Sequence, residues 1–211
     1  MIPLLTLLVA FPFGILVAGP FGNWMAEWLH RGIMALCGFS PVLMGVLIGG
    51  LWQVLVSVGI HGIITVLAFA DVLAGNSSPL LALSYSASFA VSGVAFAVFM
   101  RSRNSGEKQT AKAGAVSAIM GATEPAMYAL IKPDKKRFAL CCAGGALGGA
   151  TAGFFGISMH AYAGMGITGL FGFFQTGDVK LVGVLLMAVL PFGFTWLIEM
   201  LLYKTRKSRG K

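Results

Sequence analysis

The sequence predicts an all-α integral membrane protein, and three observations carry that prediction. Of its 211 residues, 57% are hydrophobic and only 10% charged, with mean hydropathy +0.87; soluble domains carry about 25% charged residues. The apolar runs are long and non-alternating, whereas membrane β-strands alternate over about ten residues between polar turns. The basic residues are also gathered. Eight of the 15 fall between Arg101 and Arg137, five lie in Lys204–Lys211, and only Arg31 and Lys180 stand elsewhere. Basic clusters beside apolar spans follow the positive-inside rule. Both clusters, and the C-terminus with them, are therefore expected on the cytoplasmic side of the cell membrane. The net charge of +8 then reports topology and not nucleic acid. A soluble enzyme, a disordered chain and a disulfide scaffold are excluded.

A helical crossing takes roughly 20 apolar residues. The chain is expected to hold about five to six of them, with an interfacial amphipathic helix and re-entrant hairpins. Met1-Ile-Pro opens directly in an apolar run without a basic leader, so the chain is expected to begin at a helix, as a fragment would. Residues 2–20, interrupted by Pro3, Pro12 and Pro20, predict a kinked crossing. Residues 21–39 mix Asn23, Trp24, Glu27, Trp28, His30 and Arg31 with Phe21, Met25, Leu29, Ile33 and Leu36. Apolar spacing of three to four residues and paired tryptophans predict an interfacial helix.

Residues 41–70 exceed one crossing, and Gly59 and Gly62 bracket His61, so a break is predicted there. Asp71–Pro79 reads as a polar turn and residues 80–100 as a crossing that ends at Arg101. Arg101–Lys112 reads as a charged loop. The segment 113–131 has basic groups at both ends, which places both ends on one side. Nineteen residues cannot cross and return as two full helices, so this segment is predicted to be re-entrant or folded at partial depth. Residues 138–159, with Gly144, Gly145, Gly148, Gly149, Gly153 and Gly156, predict close helix packing through small-xxx-small spacing. No βαβ unit surrounds these glycines, so they are not a dinucleotide loop. Residues 160–180 read as a loop or short hairpin, and 181–203 as a final crossing. Cys37, Cys141 and Cys142 lack disulfide or metal spacing and are expected to be small apolar filler.

Two titratable residues stand out for chemistry. Glu124 lies between Thr123 and Pro125; a carboxylate at membrane depth costs at least about 2.5 kcal/mol unless it is paired, protonated or functional. The alternative is a surface loop carboxylate paired with Lys132. His61 suits a hydroxyl ligand or a proton relay, against the alternative of a satisfied structural group. Trp52 and Gln53 offer a ring to stack on a sugar face and an amide for its hydroxyls, or else helix packing and an interhelical bond. His160, His30 and Asp71 are read as loop, interfacial and turn residues. No cofactor and no metal is expected.

Gly121-Ala122-Thr123-Glu124-Pro125-Ala126-Met127-Tyr128 resembles the G-I-T-E-P-A-I-Y signature of the membrane IIC domain of sugar phosphotransferase systems, glucose superfamily. Gly49-Gly50-Leu51-Trp52-Gln53-Val54-Leu55-Val56 through His61, and Pro20-Phe21-Gly22-Asn23-Trp24, are similar to segments of its β-glucoside/sucrose/trehalose branch. The resemblance runs across nearly all of the chain. Ala122 replaces isoleucine, and Gly62 stands where tryptophan is expected. Residues 1–211 thus resemble the C-terminal, sugar-binding half of a IIC domain, with the upstream helices, the IIB domain and the IIA domain outside them.

The resemblance implies a sugar bound at mid-membrane near re-entrant hairpins. Glu124 and His61 would act on the hydroxyl that receives phosphate, with Thr123, Gln53 and Trp52 in substrate contact. The phosphoryl group would come from a phosphorylated IIB protein, so the chain would be a sugar phosphotransferase only together with that donor. The implied partners are a β-glucoside or related disaccharide, IIB, the N-terminal IIC half, membrane lipid and a second copy in a homodimer. Two other functions stay open: a non-transporting remnant or split-permease fragment, and a proton-coupled secondary transporter.

Overall fold

The computed structural model describes residues 2–18, 20, 21, 24, 27, 28, 31, 32, 35, 38–174 and 180–209. Helix α1 (Ile2–Phe13) contains Pro12 and runs into a π-helical turn, Gly14–Ala18. The described positions between 20 and 39 are helical. Arg31 pairs with Glu27 one turn away at 3.1 Å, and Trp24 and Trp28 meet edge-on at 6.3 Å. Asn23, Met25, Leu29, His30, Ile33, Leu36 and Cys37 lie outside the described residues.

Two of the long helices start in the same way. Ser40 accepts the Leu43 N–H, and Pro41 opens α2 (Pro41–Val58). Ser78 accepts the Leu81 N–H, and Pro79 opens α4 (Pro79–Arg101). A hydroxyl at the N-cap and a proline with pre-set φ at the first helical position favour a start. Between these two helices lies α3 (His61–Leu73). The Asn104 side chain caps α5 (Ser105–Ile119) through the N–H groups of Gly106 and Glu107, and the Asp134 side chain caps α6 (Lys135–Phe155) through those of Lys136 and Arg137. The last helix is α7 (Leu181–Arg209), with Pro191 inside.

Two expected boundaries move. Asp71 lies in the last turn of α3 and not in a turn, because the apolar helix runs on to Leu73 before Gly75, at φ 82°, reverses the chain. The charged stretch Arg101–Lys112 is mostly helix: Asn104 starts α5, and Ala111, Ala115 and Ala118 give it a buried face. Residues 166–173 form a 3-10 helix inside the predicted loop, and 175–179 lie outside the described residues.

Among the described residues four helices are long and apolar enough to cross a membrane: α2, α4, α6 and the Leu181–Tyr203 part of α7. Together with the composition they make this a multi-pass membrane protein. α4 is the centre of the bundle, 94% buried over its apolar window, and packs against α2, α5, α6 and α7. The glycines of α6 work in two stripes. Gly145, Gly149 and Gly153 face Gly49, Gly45 and Pro41 of α2 so closely that a Cβ on any of them would strike backbone. Gly144 and Gly148 lie against side chains instead, Thr195 of α7 and Ser86 of α4, which a Cβ would strike. In lipid, where apolar surface is not driven together by water, such close approach is what holds helices.

A buried arginine ties five segments together. Arg137, at the start of α6, donates from Nε to Glu199 Oε1 of α7 at 3.0 Å and from both Nη atoms to Glu107 Oε1 of α5 at 3.3 and 3.2 Å. Nη1 also reaches the Leu130 carbonyl at 3.4 Å. Ser102 and Tyr203 add hydroxyl donors to Glu107 Oε2 at 2.7 and 3.3 Å. Segment 105–131 therefore leaves this junction as α5 and returns to it at Leu130. It is a closed hairpin.

Thermal unfolding in detergent tests both the glycine packing and the arginine junction. Gly149→Ala should lower the midpoint clearly, by overpacking worth about 1–3 kcal/mol, whereas Gly193→Ala, where a Cβ meets nothing within 4 Å, should leave it unchanged or raise it. Arg137→Met should cost about 3–5 kcal/mol by leaving the Glu199 carboxylate buried without its guanidinium. The triple change Arg137→Met, Glu199→Met, Glu107→Gln should recover most of that loss.

Candidate functional site

The site begins with a break. α2 ends at Val58 because Gly59 takes φ 88°, its N–H capping the Leu55 and Val56 carbonyls at 2.9 and 3.1 Å. A left-handed residue terminates a helix, and glycine adopts it without a Cβ penalty. The chain restarts at once, so His61 is the first residue of α3. Trp52, two turns back on α2, meets the His61 ring nearly perpendicular at 6.3 Å.

A second break faces the first. α5 ends at Ile119, and Gly121 at φ 102° turns the chain tightly against the Met165 backbone. Ser117 Oγ donates to the Ala122 carbonyl at 2.5 Å, and the Ala122 N–H returns to the Ser117 carbonyl at 3.0 Å. Glu124 then opens a short helical turn, Glu124–Ala126, that continues as a π turn, Met127–Ile131. Pro125 suits this first turn, where its missing N–H is not required. Glu124 thus sits at the tip of the hairpin whose base is Arg137. The returning leg touches α2 as well: Tyr128 OH reaches the Val56 carbonyl at 3.5 Å, and Lys132 Nζ the Ser57 carbonyl at 3.4 Å.

The two breaks bring His61 and Glu124 together. His61 Nε2 lies 4.0 Å from Glu124 Oε1, with side chains 29% and 52% exposed. The pair is too far apart for a direct hydrogen bond and close enough for one ligand oxygen to bridge both groups from the cavity side. Both line one cavity of about 470 Å³, together with Trp52, Thr123, Ser84, Ser88, Tyr85 and Tyr162. That volume lies in the range of small-molecule sites. Its walls combine aromatic faces with hydroxyl, imidazole and carboxylate groups. The carboxylate accepts hydrogen bonds, imidazole can donate or accept, and rings offer apolar faces; such a set suits a polyhydroxylated ring.

Four of the five candidate residues meet here: Glu124, His61, Thr123 and Trp52. Gln53 does not. One position beyond Trp52 turns its side chain toward α4, where its fully buried Nε2 donates to the Ala87 carbonyl at 3.1 Å. It ties two helices and stands off the cavity wall. His160 also lies off the wall, its backbone N–H bound to the Gly172 carbonyl at 3.0 Å. Cys141 is buried against Ala90 of α4.

Residues that sequence reasoning passed over include Thr65, Ser84, Tyr85, Ser88 and Tyr162. The signal for two of them was present: Ser84, Ser86, Ser88 and Ser92 interrupt an otherwise apolar crossing. Tyr85 is structural as well as lining. Its hydroxyl donates to the Gly166 carbonyl at 2.5 Å and its ring meets Phe173 at 5.1 Å, which fastens the 3-10 segment Gly166–Phe173 over α4.

Residues 2–144 match the family model described as "Phosphotransferase system, EIIC". A beta-glucoside-specific EIIBCA component of Halalkalibacterium halodurans is 33% identical over 178 residues, 84% of this chain and 28% of the relative. An arbutin-, cellobiose-, and salicin-specific EIIBC component of Escherichia coli is 29% identical over 203 residues, 95% of this chain and 42% of the relative. A sucrose-specific EIIBC component of Salmonella typhimurium is 29% identical over 209 residues, 96% of this chain and 44% of the relative. The chain thus spans less than half the length of each of these relatives. No solved structure matches. A match over residues 2–144, which includes His61, the second break and the start of α6, places this chain in the phosphotransferase system EIIC family.

Proposed function

We propose that this chain is the sugar-binding part of a phosphoenolpyruvate-dependent EIIC permease for a β-glucoside or related disaccharide. The observation that carries the reading is the meeting of Glu124 and His61, from two separate helix breaks, across one cavity with an aromatic wall. Half-helix ends at membrane depth are a recurrent way to build transporter sites. Relatives specific for beta-glucoside, salicin and sucrose support the substrate class.

In this mechanism Trp52 stacks on the sugar and Thr123 and Glu124 hold its hydroxyls. Glu124 orients the hydroxyl that will be phosphorylated and accepts its proton as the oxygen attacks phosphorus. His61 Nε2, 4.0 Å from Glu124 Oε1, holds the same oxygen beside it. The phosphoryl donor is a IIB protein or domain phosphorylated on a cysteine; its S–P bond breaks as the sugar O–P bond forms. The chain supplies positioning and a general base, and the donor arrives in trans. IIB partnership is supported by relatives that carry B and C components in one chain. The proposed topology has about five to six crossings. The hairpin at 105–131 enters from and returns to the cytoplasmic side, where the basic groups and the C-terminus lie, and the working unit is a homodimer.

The test uses membranes holding the chain, phosphoenolpyruvate, the general phosphotransfer proteins and a matching IIB/IIA, with salicin, sucrose and trehalose as sugars. Wild type should yield sugar phosphate, and Glu124→Gln should lower the rate at least about 100-fold, the usual contribution of a general base, while still inserting. Near-wild-type turnover in that variant would remove Glu124 from the chemistry. Sugar uptake abolished by an uncoupler alone, without sugar phosphate, would indicate a proton-coupled transporter instead.

A further inference from the structure

α4 crosses the centre of the bundle with four buried serines, and packing explains only two of them. Ser86 Oγ donates to the Gly145 carbonyl of α6 at 3.3 Å, and Ser92 Oγ to the Ala115 carbonyl of α5 at 3.1 Å. These hydroxyls tie helices together. Ser84 and Ser88 tie nothing across helices. Each donates only to a carbonyl three residues back in its own helix, Ser84 to Leu81 and Ser88 to Tyr85, both at 3.0 Å. Both line the cavity that holds Glu124 and His61. Four residues apart, they lie on one face of the helix, a turn from each other.

Resting on the sugar-binding reading above, we propose that Ser84 and Ser88 form a hydroxyl-recognition subsite on the α4 wall. A serine hydroxyl has one donor and two acceptor lone pairs. In both residues the donor is already engaged by the helix carbonyl, which leaves the oxygen lone pairs as the free capacity facing the cavity. The pair therefore accepts hydrogen bonds from two sugar hydroxyls and offers them none. Donation to the helix carbonyl fixes each oxygen before the sugar arrives, and it also makes the oxygen a better acceptor. The subsite consequently selects ligands that present hydroxyl donors at two positions along the ring, and rejects a ligand that carries hydrogen there. Glu124 and His61 handle the reacting hydroxyl; Ser84 and Ser88 set which ring is held and in what orientation.

The experiment measures KM and kcat for phenyl β-D-glucoside and for its single-deoxy analogues in the phosphorylation assay above, with wild type, Ser84→Ala, Ser88→Ala and Ser86→Ala. Ser84→Ala and Ser88→Ala should each raise KM about tenfold for the parent sugar, the scale of one lost hydrogen bond, with kcat within twofold. Each should show less than a twofold change for one deoxy analogue, a different analogue for each serine. Cysteine at either position, nearly the same size but a weak acceptor, should repeat the pattern. Ser86→Ala should lower the thermal midpoint and leave the KM ratios as they are. Equal KM increases for the parent and every deoxy analogue, or no increase with the variants inserted, would overturn the subsite. Wild-type membranes that phosphorylate no glucoside would overturn the sugar-binding reading itself.

Discussion

The arrangement depends on a buried cation. Arg137 is 8% exposed, yet it holds Glu107 on the outgoing leg of the hairpin, the Leu130 carbonyl on the returning leg and Glu199 on the last helix. Glu199 is fully buried. A charge in such surroundings is tolerable only when paired and hydrogen-bonded, so each member fixes the places of the others. The planar guanidinium, with five donors, can serve several acceptors at once where an ammonium could not. What it secures is the base of the hairpin. Twelve residues of α5, about 18 Å at helical rise, then carry the chain from this base to the tip where Glu124 meets the cavity.

The polar groups of the bundle thus divide into those that fasten and those that face the cavity. Gln53, Ser86, Ser92 and Thr195 each bond a carbonyl of another helix. The paired glycine stripes of α2 and α6 bring those helices close without any polar group. Glu124, His61, Thr123, Ser84 and Ser88 instead line the cavity, and among the described residues none of their side chains makes a hydrogen bond to another helix. In a membrane bundle an underused polar side chain is expensive, and this concentration of them is what favours the cavity as the proposed sugar site.

Much of this was legible in the sequence, and what was not has a physical reason. Charge parity across 113–131 predicts a segment that returns to its starting side; in the structure Glu107 before it and Leu130 at its end both bond Arg137. Glycines around His61 pointed to a helix break, and Gly59 makes it. The small-xxx-small spacing of 144–153 pointed to close packing, and both stripes are used. Rotation was harder to read. Trp52 and Gln53 are neighbours in sequence, yet 100° of helical turn sends one to the cavity and the other to α4. In α4, apolar on every side and buried nearly throughout, no amphipathic pattern tells which face meets the cavity, so Ser84 and Ser88 could not be separated from Ser86 and Ser92. The start of α5 was hidden because charge was read as loop, although Asn104 and the buried alanines specify a helix.

A ligand-bound structure addresses the central claim most directly. The chain, reconstituted in lipid nanodiscs with phenyl β-D-glucoside and imaged by electron cryo-microscopy, should show the sugar in the cavity between Trp52 and the α4 serines. One of its hydroxyls should lie within hydrogen-bond distance of Glu124 and of His61. A sugar bound elsewhere, with the Glu124–His61 cavity holding only water, would contradict the assignment of this cavity as the sugar site.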